Sequence, residues 1–559
     1  KNFAQIAHDE QESSIAIMAR DAGKTVAEAD PEVSEAIDFA NYYALSAISL
    51  DLEKQSSPVG VVVVVPPWNF PYAIPTGGIC AALAAGNTVI FKSAPETVAT
   101  SWHLVNQLWR SGVPKDVLQF VSTEDNEIGQ ALITHLDVNA VILTGGYNTA
   151  LLFSSWKNNL NLLAETSGKN SMVLTACCDI DLAVKDLVQS AFGHAGQKCS
   201  AASVAIVDKN IYENPIFKKQ LLDAVQSLQV GAGYKYATSV GPIIKAAEHS
   251  LHRALTSLDE GEEWLLEPKQ LDQAGLLWSP GIKTNVKPGS WSHLNEWFGP
   301  VLAIMISPDL KTSIKWQNAT EFGLTAGIQS LDQGECEEWI ENVEAGNLYV
   351  NRGVTGAIVN RQPFGGWKRS SVGATAKAGG ANYVATLRNW NQMHHFLPMK
   401  EAANKWLNAV GKLAIDKSGL EVESNLQRYR RYKKGFLIRI ESGTSKDELD
   451  FLSWLKTELG IITSLSSDTL IPGLANLVVE SASEFAEHAK EFDRARWLSS
   501  EIAPIHQLMQ NGVSCDMRPI TSRGDIEMSR WFLEQSISIT QHRYGNTNAG
   551  PKPICEGLK

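Results

Sequence analysis

The 559-residue sequence lacks a complete GxGxxG motif, the glycine fingerprint of most dinucleotide-binding layers. The stretch Gly231-Ala-Gly233 has no third glycine, and neither has the pair Gly145-Gly146. A standard Rossmann fingerprint is therefore absent.

Cysteine is scarce and scattered, with seven residues in the whole chain and neither a CxxC pair nor an HExxH motif. An odd number of widely spaced cysteines argues against a disulfide framework and favours a reducing, cytoplasmic compartment. Cys177 and Cys178 follow an apolar stretch and are interpreted as packing residues. We expect no metal site.

Long apolar runs and a basic surplus are also missing. No run reaches the roughly 18 residues of a membrane span, which predicts a soluble protein. The net charge of −12 argues against a nucleic-acid binder, because phosphate affinity requires a concentrated basic face. One basic and aromatic run, residues 428–434, is interpreted as a solvated connector before a strand.

What the sequence does contain is an alternation of strand and helix patterns. The β-branched run 59–65 is typical of a parallel strand buried on both faces. Further strands are predicted at 88–92, 118–122 and 140–144, with helices at 76–85, 99–111 and 128–134. A second alternating region has strands at 171–174 and 203–207 around a helix at 182–192, and a strand at 436–440 follows a composition shift near Met399. This pattern predicts an α/β protein with an open doubly wound sheet.

Cys199 lies in a loop of small residues between a predicted helix and a predicted strand. A cysteine taken alone is more often inert than nucleophilic, since reactivity requires a stabilised thiolate in an open site. His194 suggests a Cys-His dyad, but a helical spacing of five does not place both side chains on one face, and no orienting Asn or Asp is apparent.

Two further residues suit catalysis. Glu165 ends an apolar stretch, where desolvation could raise its pKa towards that of a general base; a helix-capping or solvated glutamate is the alternative. Asn69 directly follows the first buried strand, where its amide could donate to an oxyanion, although a turn-forming asparagine would look the same.

These residues occur in one order with several other stretches, and the combination resembles the aldehyde dehydrogenase superfamily over roughly residues 40–395. The matching stretches are Pro67-Trp-Asn-Phe-Pro71, Ala84-Ala-Gly-Asn-Thr-Val-Ile-Phe-Lys92, Glu165-Thr-Ser-Gly-Lys169, Gly196-Gln-Lys-Cys199, Glu296-Trp-Phe-Gly-Pro300, Gly346-Asn-Leu-Tyr-Val-Asn351 and Pro363-Phe-Gly-Gly366. That family binds its cofactor on a modified Rossmann layer without GxGxxG.

The resemblance implies a role for each matching residue. Cys199 is the nucleophile, Asn69 and the Cys199 backbone N–H form the oxyanion hole, and Glu165 is the general base for thioester hydrolysis. The residues expected to bind NAD are Trp68, Lys92, Gly145, Gly146, Glu296 and Phe298. In the family, the acid that binds the ribose often stands three positions after the lysine that matches Lys92, whereas here Glu96 stands four positions after it. The preference for NAD over NADP is therefore less firmly implied. Gly146 stands where the family usually has a serine, so the hydroxyl contact is lost and backbone N–H groups must bind the pyrophosphate.

Within the superfamily, Glu165-Thr-Ser-Gly-Lys-Asn170 and Val354-Thr-Gly-Ala-Ile-Val359 resemble the glutamate-γ-semialdehyde (pyrroline-5-carboxylate) dehydrogenases. The resemblance implies that Gly356, Ala357 and Ser200 hold the substrate α-carboxylate, while Phe70 and Phe364 sandwich its aliphatic chain. An ordinary surface turn is the alternative for residues 355–357. Succinic semialdehyde, which also bears a carboxylate, is the alternative substrate.

The segment 530–546 resembles the C-terminal segment of the larger proline utilization A proteins. The resemblance implies a fragment of a bifunctional protein, whose FAD would belong to an upstream proline dehydrogenase region, and a homo-oligomer without nucleic-acid binding through this region. We expect four parts: 1–170, an NAD-binding domain with N-terminal helices; 171–350, the catalytic cysteine domain; 351–400, the anchor loop, return segment and oligomerisation flap; and 401–559, a non-catalytic Rossmann-like domain. A purely structural, tunnel-sealing module is the competing interpretation.

Overall fold

The predicted central strand lies at the centre of the first sheet. The computed structural model describes residues 1–50, 55–474, 476–547, 555 and 557–558, and within it five consecutive valines form the strand Val61–Val65. β-Branched side chains favour extended backbone, and four of these valines are buried. The strand begins at Val61 and not at residue 59.

Many helices begin at a side chain that accepts hydrogen bonds from the first turn, as Asp179 does from Asp181 N and Leu182 N. The helices of the described residues, in chain order, are α1 (Asn2–Asp9), α2 (Gln11–Asp21), α3 (Val26–Ser49), α4 (Ala73–Ala84), α5 (Val98–Arg110), α6 (Glu127–Thr134), α7 (Tyr147–Trp156), α8 (Ile180–Phe192), α9 (Lys209–Glu213), α10 (Pro215–Gln226), α11 (His249–Thr256), α12 (Trp291–Leu294), α13 (Leu310–Asn318), α14 (Gln333–Asn342), α15 (Phe396–Trp406), α16 (Lys446–Thr457), α17 (Ala482–His488), α18 (Ile505–Gln510) and α19 (Gly524–Ser529). Within the described ranges, none of these helices has the length and apolar composition that crossing a bilayer requires.

The strands build three main sheets. In chain order they are β1 (Ser56–Pro58), β2 (Val61–Val65), β3 (Thr88–Ser93), β4 (Leu118–Ser122), β5 (Val138–Thr144), β6 (Leu162–Glu165), β7 (Asn170–Leu174), β8 (Ala202–Asp208), β9 (Glu263–Leu266), β10 (Gly281–Thr284), β11 (Val301–Ser307), β12 (Phe322–Gly323), β13 (Thr325–Gln329), β14 (Asn347–Val350), β15 (Trp367–Lys368), β16 (Ser371–Gly373), β17 (Arg388–Trp390), β18 (Ile415–Asp416), β19 (Glu423–Arg430), β20 (Phe436–Arg439), β21 (Thr463–Ser467), β22 (Val478–Val479), β23 (Arg494–Trp497), β24 (Ser514–Asp516), β25 (Leu533–Thr540), β26 (His542–Arg543) and β27 (Asn546–Thr547).

The first sheet has the strand order β16-β6-β5-β2-β3-β4. All its strands are parallel except β16, which runs antiparallel to β6. The chain builds β3 and β4 on one side of β2 and then returns to build β5 and β6 on the other. Ligands of open α/β sheets bind at such a reversal, beyond the carboxyl ends of the strands. The predicted doubly wound layer is confirmed.

The second sheet has the strand order β18-β19-β25-β14-β13-β7-β8-β11-β10-β9. Its strands from β14 to β10 are parallel. Helix α8 packs into the same core through Ala183, Leu187 and Ala191, which are four residues apart and therefore share one helix face. The connection from α8 to β8 carries Cys199 to the amino end of the neighbouring, parallel β7.

The third sheet, from the C-terminal part of the chain, has the strand order β22-β21-β20-β23-β24 and is parallel throughout. The chain builds β21 and β22 on one side of β20 and then returns to build β23 and β24 on the other, as in a doubly wound layer. The Rossmann-like character predicted for this region is confirmed.

The C-terminal part is nevertheless not separated from the rest at residue 400. Helix α15 runs through that position, and β18, β19 and β25 belong to the second sheet. Strand β25 pairs in parallel with β14, from Asn347 with Ser536 to Val350 with Ile539. The boundary expected between 400 and 401 therefore falls inside a helix, between interleaved elements.

The basic run 428–434 is only in part the solvated connector that the sequence suggested: Arg431, Lys433 and Lys434 are exposed between β19 and β20, but the first three residues are not a connector. Its first residues end strand β19, and the guanidinium of Arg428 is fully buried. Arg428 donates to the Ile340 carbonyl oxygen (2.9 Å) and pairs with Glu341, which also pairs with Arg430 at 2.6 Å. The partly exposed Glu341 carboxylate therefore neutralises two charges that look fully solvated in the sequence.

The adjacent cysteines also differ from expectation. Cys178 packs against the core of the second sheet, but Cys177 is exposed, so the predicted packing role holds for only one of them. Across the described ranges, no three or more His, Cys, Asp or Glu side chains are grouped so as to hold a metal ion.

The return segment after β16 is tied to the C-terminal part of the same chain. Strand β17 pairs with β1, and the backbone beyond it continues into contacts with residues 520–522. Met393 N donates to the Ile520 carbonyl oxygen (2.9 Å), and Ser522 N donates to that of Asn391 (3.0 Å).

Candidate active site

The predicted catalytic residues meet in one cleft between the first two sheets. The cleft has a volume of about 1570 Å³, and its lining includes Asn69, Glu165 and Cys199. Asn69 follows β2, Glu165 ends β6, and Cys199 precedes β8. The fold therefore converts three distant sequence positions into neighbours, in a space large enough for a dinucleotide and a small substrate.

The backbone of the Cys199 loop is held by residues at and just before the start of β7. Asn170, the first residue of β7, donates through Nδ2 to the carbonyl oxygens of Cys199 (2.6 Å) and Ala201 (3.1 Å). Gly168 approaches so closely that a Cβ there would lie 2.7 Å from the Cys199 carbonyl oxygen. The loop is thus fixed from behind, while the Cys199 side chain lines the cleft.

Asn69 is buried and bound to the same loop. Its Nδ2 donates one hydrogen to the Gln197 carbonyl oxygen at 2.9 Å. Gln197 is itself held by donation to the Pro242 carbonyl oxygen (3.1 Å) and by acceptance from Ile244 N (2.9 Å). An amide nitrogen carries two hydrogens, so Asn69 retains one donor for an oxyanion.

Glu165 has the environment of a general base. Gly366 N donates to its Oε2 at 2.9 Å. Burial raises the pKa of the Glu165 carboxyl to about 8, against the opposing effects of this hydrogen bond and of the Lys377 ammonium. A carboxyl with that pKa can take a proton from water near neutral pH and release it again.

The Cys199 sulfur is a thiol in the protein alone. Burial raises its pKa to about 12, and the nearby carboxyls of Glu296 and Glu165 add to this shift, while the Ser200 backbone hydrogen bond opposes it. His194, the alternative partner for a dyad, is instead engaged by Glu28 of α3, whose carboxylate lies 3.6 Å from His194 Nδ1. The geometry therefore favours activation of the thiol within the cleft and not by His194.

The cofactor side of the cleft is lined by Trp68, Gly145, Gly146, Glu296 and Phe298. The rings of Trp68 and Phe298 meet edge to face at 5.7 Å between centroids. Gly146 is the residue before α7, so the cleft reaches the positive end of a helix dipole, and a Cβ at Gly146 would meet nothing nearer than Thr149 Oγ1 at 4.0 Å. Glu296 Oε1 accepts from Gly168 N at 2.8 Å, which leaves Oε2 for a ribose hydroxyl. These groups fit the pyrophosphate, ribose and nicotinamide of a dinucleotide.

Lys92 is not brought to this cleft. Its side chain is buried at the end of β3 and pairs with Asp125 at 3.0 Å. Its predicted contact with the adenosine ribose remains a prediction.

The residues predicted to anchor a carboxylate line the same cleft. Gly356, Ala357 and Ser200 line the cleft together with Phe70 and Phe364. A Cβ added to Gly356 would meet no atom within 4 Å, so its backbone faces open space. Among the described residues, no group accepts a hydrogen bond from the N–H of Gly356 or Ala357. Free adjacent N–H groups suit an anion.

Sequence reasoning missed several residues of the site. Asn170 was quoted only as part of a motif, and Gln197 received no role, although both hold the Cys199 loop. Glu35 of α3 lines the cleft, and burial together with the neighbouring Glu32 raises its pKa to about 8. A single glutamate in a helix that carries several acidic residues has no sequence signal that marks it as part of a cleft.

Comparison with known proteins agrees with the fold. Residues 1–390 match the model of the aldehyde dehydrogenase family. The chain belongs to that family, as its motifs indicated.

Two bacterial proteins with similar sequences carry the same name within this family. The chain is 33% identical over 390 residues to a 1-pyrroline-5-carboxylate dehydrogenase of Geobacillus sp. (strain WCH70), covering 66% of this chain and 75% of the relative. The corresponding protein of Staphylococcus saprophyticus is 35% identical over 402 residues, covering 68% and 77%.

Solved structures extend the likeness beyond residue 390. Proline utilization A from Corynebacterium freiburgense is 41% identical, with a TM-score of 0.87 over 98% of this chain. The chain spans 57% of the length of that protein. A Thermus 1-pyrroline-5-carboxylate dehydrogenase with bound NAD is 31% identical, with a TM-score of 0.64, and the match covers 69% of this chain and 78% of that one.

Proposed function

We propose that the chain oxidises L-glutamate-γ-semialdehyde to L-glutamate with NAD, as the second step of proline catabolism. The observation that carries this proposal is one cleft in which Cys199, Glu165 and Asn69 face an anchor loop with free N–H groups at Gly356 and Ala357. The names of the relatives, 1-pyrroline-5-carboxylate dehydrogenase, support the choice of aldehyde.

The first step is addition of the Cys199 sulfur to the aldehyde carbon, after the thiol has lost its proton to water in the cleft. The oxygen becomes an oxyanion, which the second Asn69 hydrogen and the Cys199 backbone N–H stabilise. NAD, when bound by Gly145, Gly146, Glu296, Trp68 and Phe298, supplies the hydride acceptor and a positive charge that favours the thiolate. Oxidation leaves the acyl group on Cys199 as a thioester.

The second step is hydrolysis. Glu165 takes a proton from water as the water oxygen bonds to the thioester carbon, and the carbon–sulfur bond then breaks to release Cys199 and the carboxylic acid. Glu165 ends the step protonated and must lose that proton before another turnover.

Substrate choice depends on the far end of the molecule. Gly356, Ala357 and Ser200 would hold the α-carboxylate, and Phe70 and Phe364 would pack on the aliphatic chain. Glu35 adds a carboxyl to the same cleft; burial raises its pKa to about 8, and an α-ammonium beside it would favour the ionised form and pair with it. Succinic semialdehyde has a carboxylate but no ammonium, so Glu35 favours the amino-acid aldehyde.

The biological context is part of the proposal. The likeness to proline utilization A supports a chain joined to a proline dehydrogenase region, where FAD would reside. We further propose that the protein is a homo-oligomer, that this region does not bind nucleic acid, and that the protein is cytoplasmic. The cytoplasm suits Cys199, because a nucleophilic thiol requires a reducing compartment. The preference for NAD over NADP remains a prediction, because Glu96 lies one position further along the chain than the ribose-binding acid of the family.

The test is an NAD-coupled assay of this chain with racemic glutamate semialdehyde and with succinic semialdehyde, with Cys199→Ser as the control. We expect a higher kcat/KM for the amino-acid aldehyde and no NADH from Cys199→Ser. A preference for succinic semialdehyde would overturn the substrate assignment. An inactive wild-type chain would favour the purely structural interpretation.

A further inference from the structure

Glu165 borders a second, smaller cavity on the side away from Cys199. This rear cavity has a volume of about 110 Å³, and its lining includes Glu165, Lys377, Asn382, Asp493 and Glu534. Of the described residues that line the two cavities, Glu165 alone lines both. The general base of the cleft is therefore also the inner end of the rear cavity.

The rear cavity is built by parts of the chain that lie far apart in the sequence. Glu165 comes from the first sheet, Lys377 from the return segment, and Glu534 from strand β25. Its outer wall contains Asp493 and Arg494 of the third sheet, which are partly exposed. The cavity therefore runs from the general base towards the junction with the C-terminal part of the chain.

Polar groups line its inner end. Lys377 Nζ is buried and donates to Asn347 Oδ1 and to the Gly365 carbonyl oxygen, both at 2.7 Å. An ammonium has three hydrogens, so one donor remains. Asn382 Nδ2 donates to Glu534 Oε1 at 2.6 Å, and the Lys377 backbone N–H also hydrogen-bonds this carboxylate, whose remaining lone pairs can accept from water.

Such a space suits water. A polar cavity holds a water molecule when it offers at least about 10–15 Å³ and two to four polar partners, and the rear cavity exceeds the first requirement several times. Burial lowers the pKa of Lys377 to about 8, which matches the value of about 8 to which burial raises that of Glu165. The Lys377 ammonium and the Glu165 carboxylate each favour the ionised form of the other.

The proposed reaction creates a need for this route, and the inference rests on that proposed function. Each thioester hydrolysis leaves one proton on Glu165, while cofactor and product fill the cleft on its other side. We propose that the rear cavity is the proton exit of Glu165, and that cavity water passes the proton to Glu534 and then to solvent.

The proton balance is simple. The hydrolytic water loses a proton to Glu165, and Glu165 gives it to cavity water, which gives a proton to Glu534. Glu534 then passes the proton through further cavity water to solvent at the outer rim. The Glu165 carboxylate is regenerated, and no electron moves. Lys377 is a positioning residue, since its ammonium holds the inner wall together and favours the ionised form of Glu165.

The test is Glu534→Gln, which keeps the shape of the side chain but cannot shuttle a proton. We expect formation of NADH and of the acyl-enzyme in the first turnover to be retained, and steady-state kcat to fall about tenfold or more at low buffer concentration. Imidazole, a small proton carrier, should restore kcat as its concentration rises. Glu491→Gln, a matched change at an exposed glutamate that lines neither cavity, should keep the wild-type kcat.

Three results would overturn the proton exit. They are an unchanged kcat in Glu534→Gln, a slow variant that imidazole does not rescue, and loss of the first-turnover NADH, which would indicate damaged structure. The wild-type assay in the same experiment reports separately on the proposed function. If the wild-type chain prefers another aldehyde, the comparison of variants is made with that aldehyde.

Discussion

Asn69 shows how one side chain can combine two tasks. One hydrogen of its amide fixes the Gln197 carbonyl, and the other is free for the oxyanion. We expect Asn69→Ala to lower kcat by about 10²- to 10³-fold with a smaller change in KM, because the lost donor acts mainly on the oxyanion of the transition state. Steady-state kinetics would show this; a rise in KM with an unchanged kcat would contradict it.

Glu165 sets the pH dependence of hydrolysis. Its carboxyl works as a base only when ionised, and burial raises its pKa to about 8. The rate of acyl-enzyme decay should therefore rise about tenfold per pH unit below pH 8 and level off above it. Rapid-quench measurement between about pH 6 and pH 9 checks this. A flat profile in the wild-type chain would exclude Glu165 as the base.

Glu35 should distinguish substrates that differ by an ammonium group. We expect Glu35→Gln to raise KM for glutamate semialdehyde by about tenfold, which corresponds to about 1.4 kcal/mol, and to leave KM for succinic semialdehyde nearly unchanged. Equal effects on both substrates would indicate a general role in cleft structure.

Motifs identified the residues that perform the chemistry but not those that hold them. Cys199, Glu165 and Asn69 could be predicted from local sequence, whereas Asn170 and Gln197 act through contacts across 29 and 128 positions. Nor did the sequence show that Lys92 pairs with Asp125. Side-chain partners depend on tertiary packing, which local patterns do not encode.

Strand β19 clamps the loop that carries the substrate anchor. Glu423 pairs with Arg352 at 2.9 Å and also with Arg361, one arginine on each side of Gly356 and Ala357. Gln427 Nε2 donates to the Asn360 carbonyl oxygen at 2.6 Å. The element that shapes substrate binding therefore includes a strand from beyond residue 400.

This clamp leads to a prediction for specificity. Glu423→Gln weakens both ion pairs, so the anchor loop should lose order and KM for glutamate semialdehyde should rise several-fold, with kcat less affected. Glu421→Gln, an exposed residue two positions earlier, serves as the matched control. An equal effect of both variants in steady-state kinetics would refute the clamp.

Regular apolar elements were the easiest to predict. Strand β4 was predicted at 118–122 and has those bounds, and β2 needed only a shift of its start. Strand β19 was missed because its buried arginines read as a solvated run, and only the contact with Glu341 explains their burial. Sequence hydropathy fails where ion pairs replace apolar packing.

The C-terminal part also packs on the first sheet layer. Phe153 of α7 is fully buried in a core shared with Leu508 and Met509 of α18. Tyr147 OH donates to the Met509 carbonyl oxygen at 2.5 Å. The chain is therefore interlocked at two places, through this core and through strands β19 and β25.

We expect Phe153→Ala to lower the free energy of unfolding by about 3–5 kcal/mol, because it leaves a cavity in this shared core. Leu152→Ala, on the same helix but 40% exposed, should change it by no more than about 0.5 kcal/mol. Denaturant unfolding followed by circular dichroism makes the comparison. If Phe153→Ala lowered the free energy of unfolding by as little as Leu152→Ala, the shared core would contribute little to stability.

The interleaving of the C-terminal part could not be predicted from the sequence. The doubly wound layers follow from local alternation, but the pairing of β25 with β14 joins positions almost 190 residues apart, from Asn347 with Ser536 onwards. Such pairing depends on which sheet edge remains open after the other layers have formed.

The covalent role of Cys199 and the hydrolytic role of Glu165 are tested together by one rapid-mixing measurement on Glu165→Gln with NAD and glutamate semialdehyde. The account predicts a burst of about one NADH per active site, followed by turnover slowed about 10²-fold or more, with a thioester on Cys199 that mass spectrometry detects. Cys199→Ser should give no burst. Equal slowing of burst and turnover, without a trapped thioester, would contradict the account.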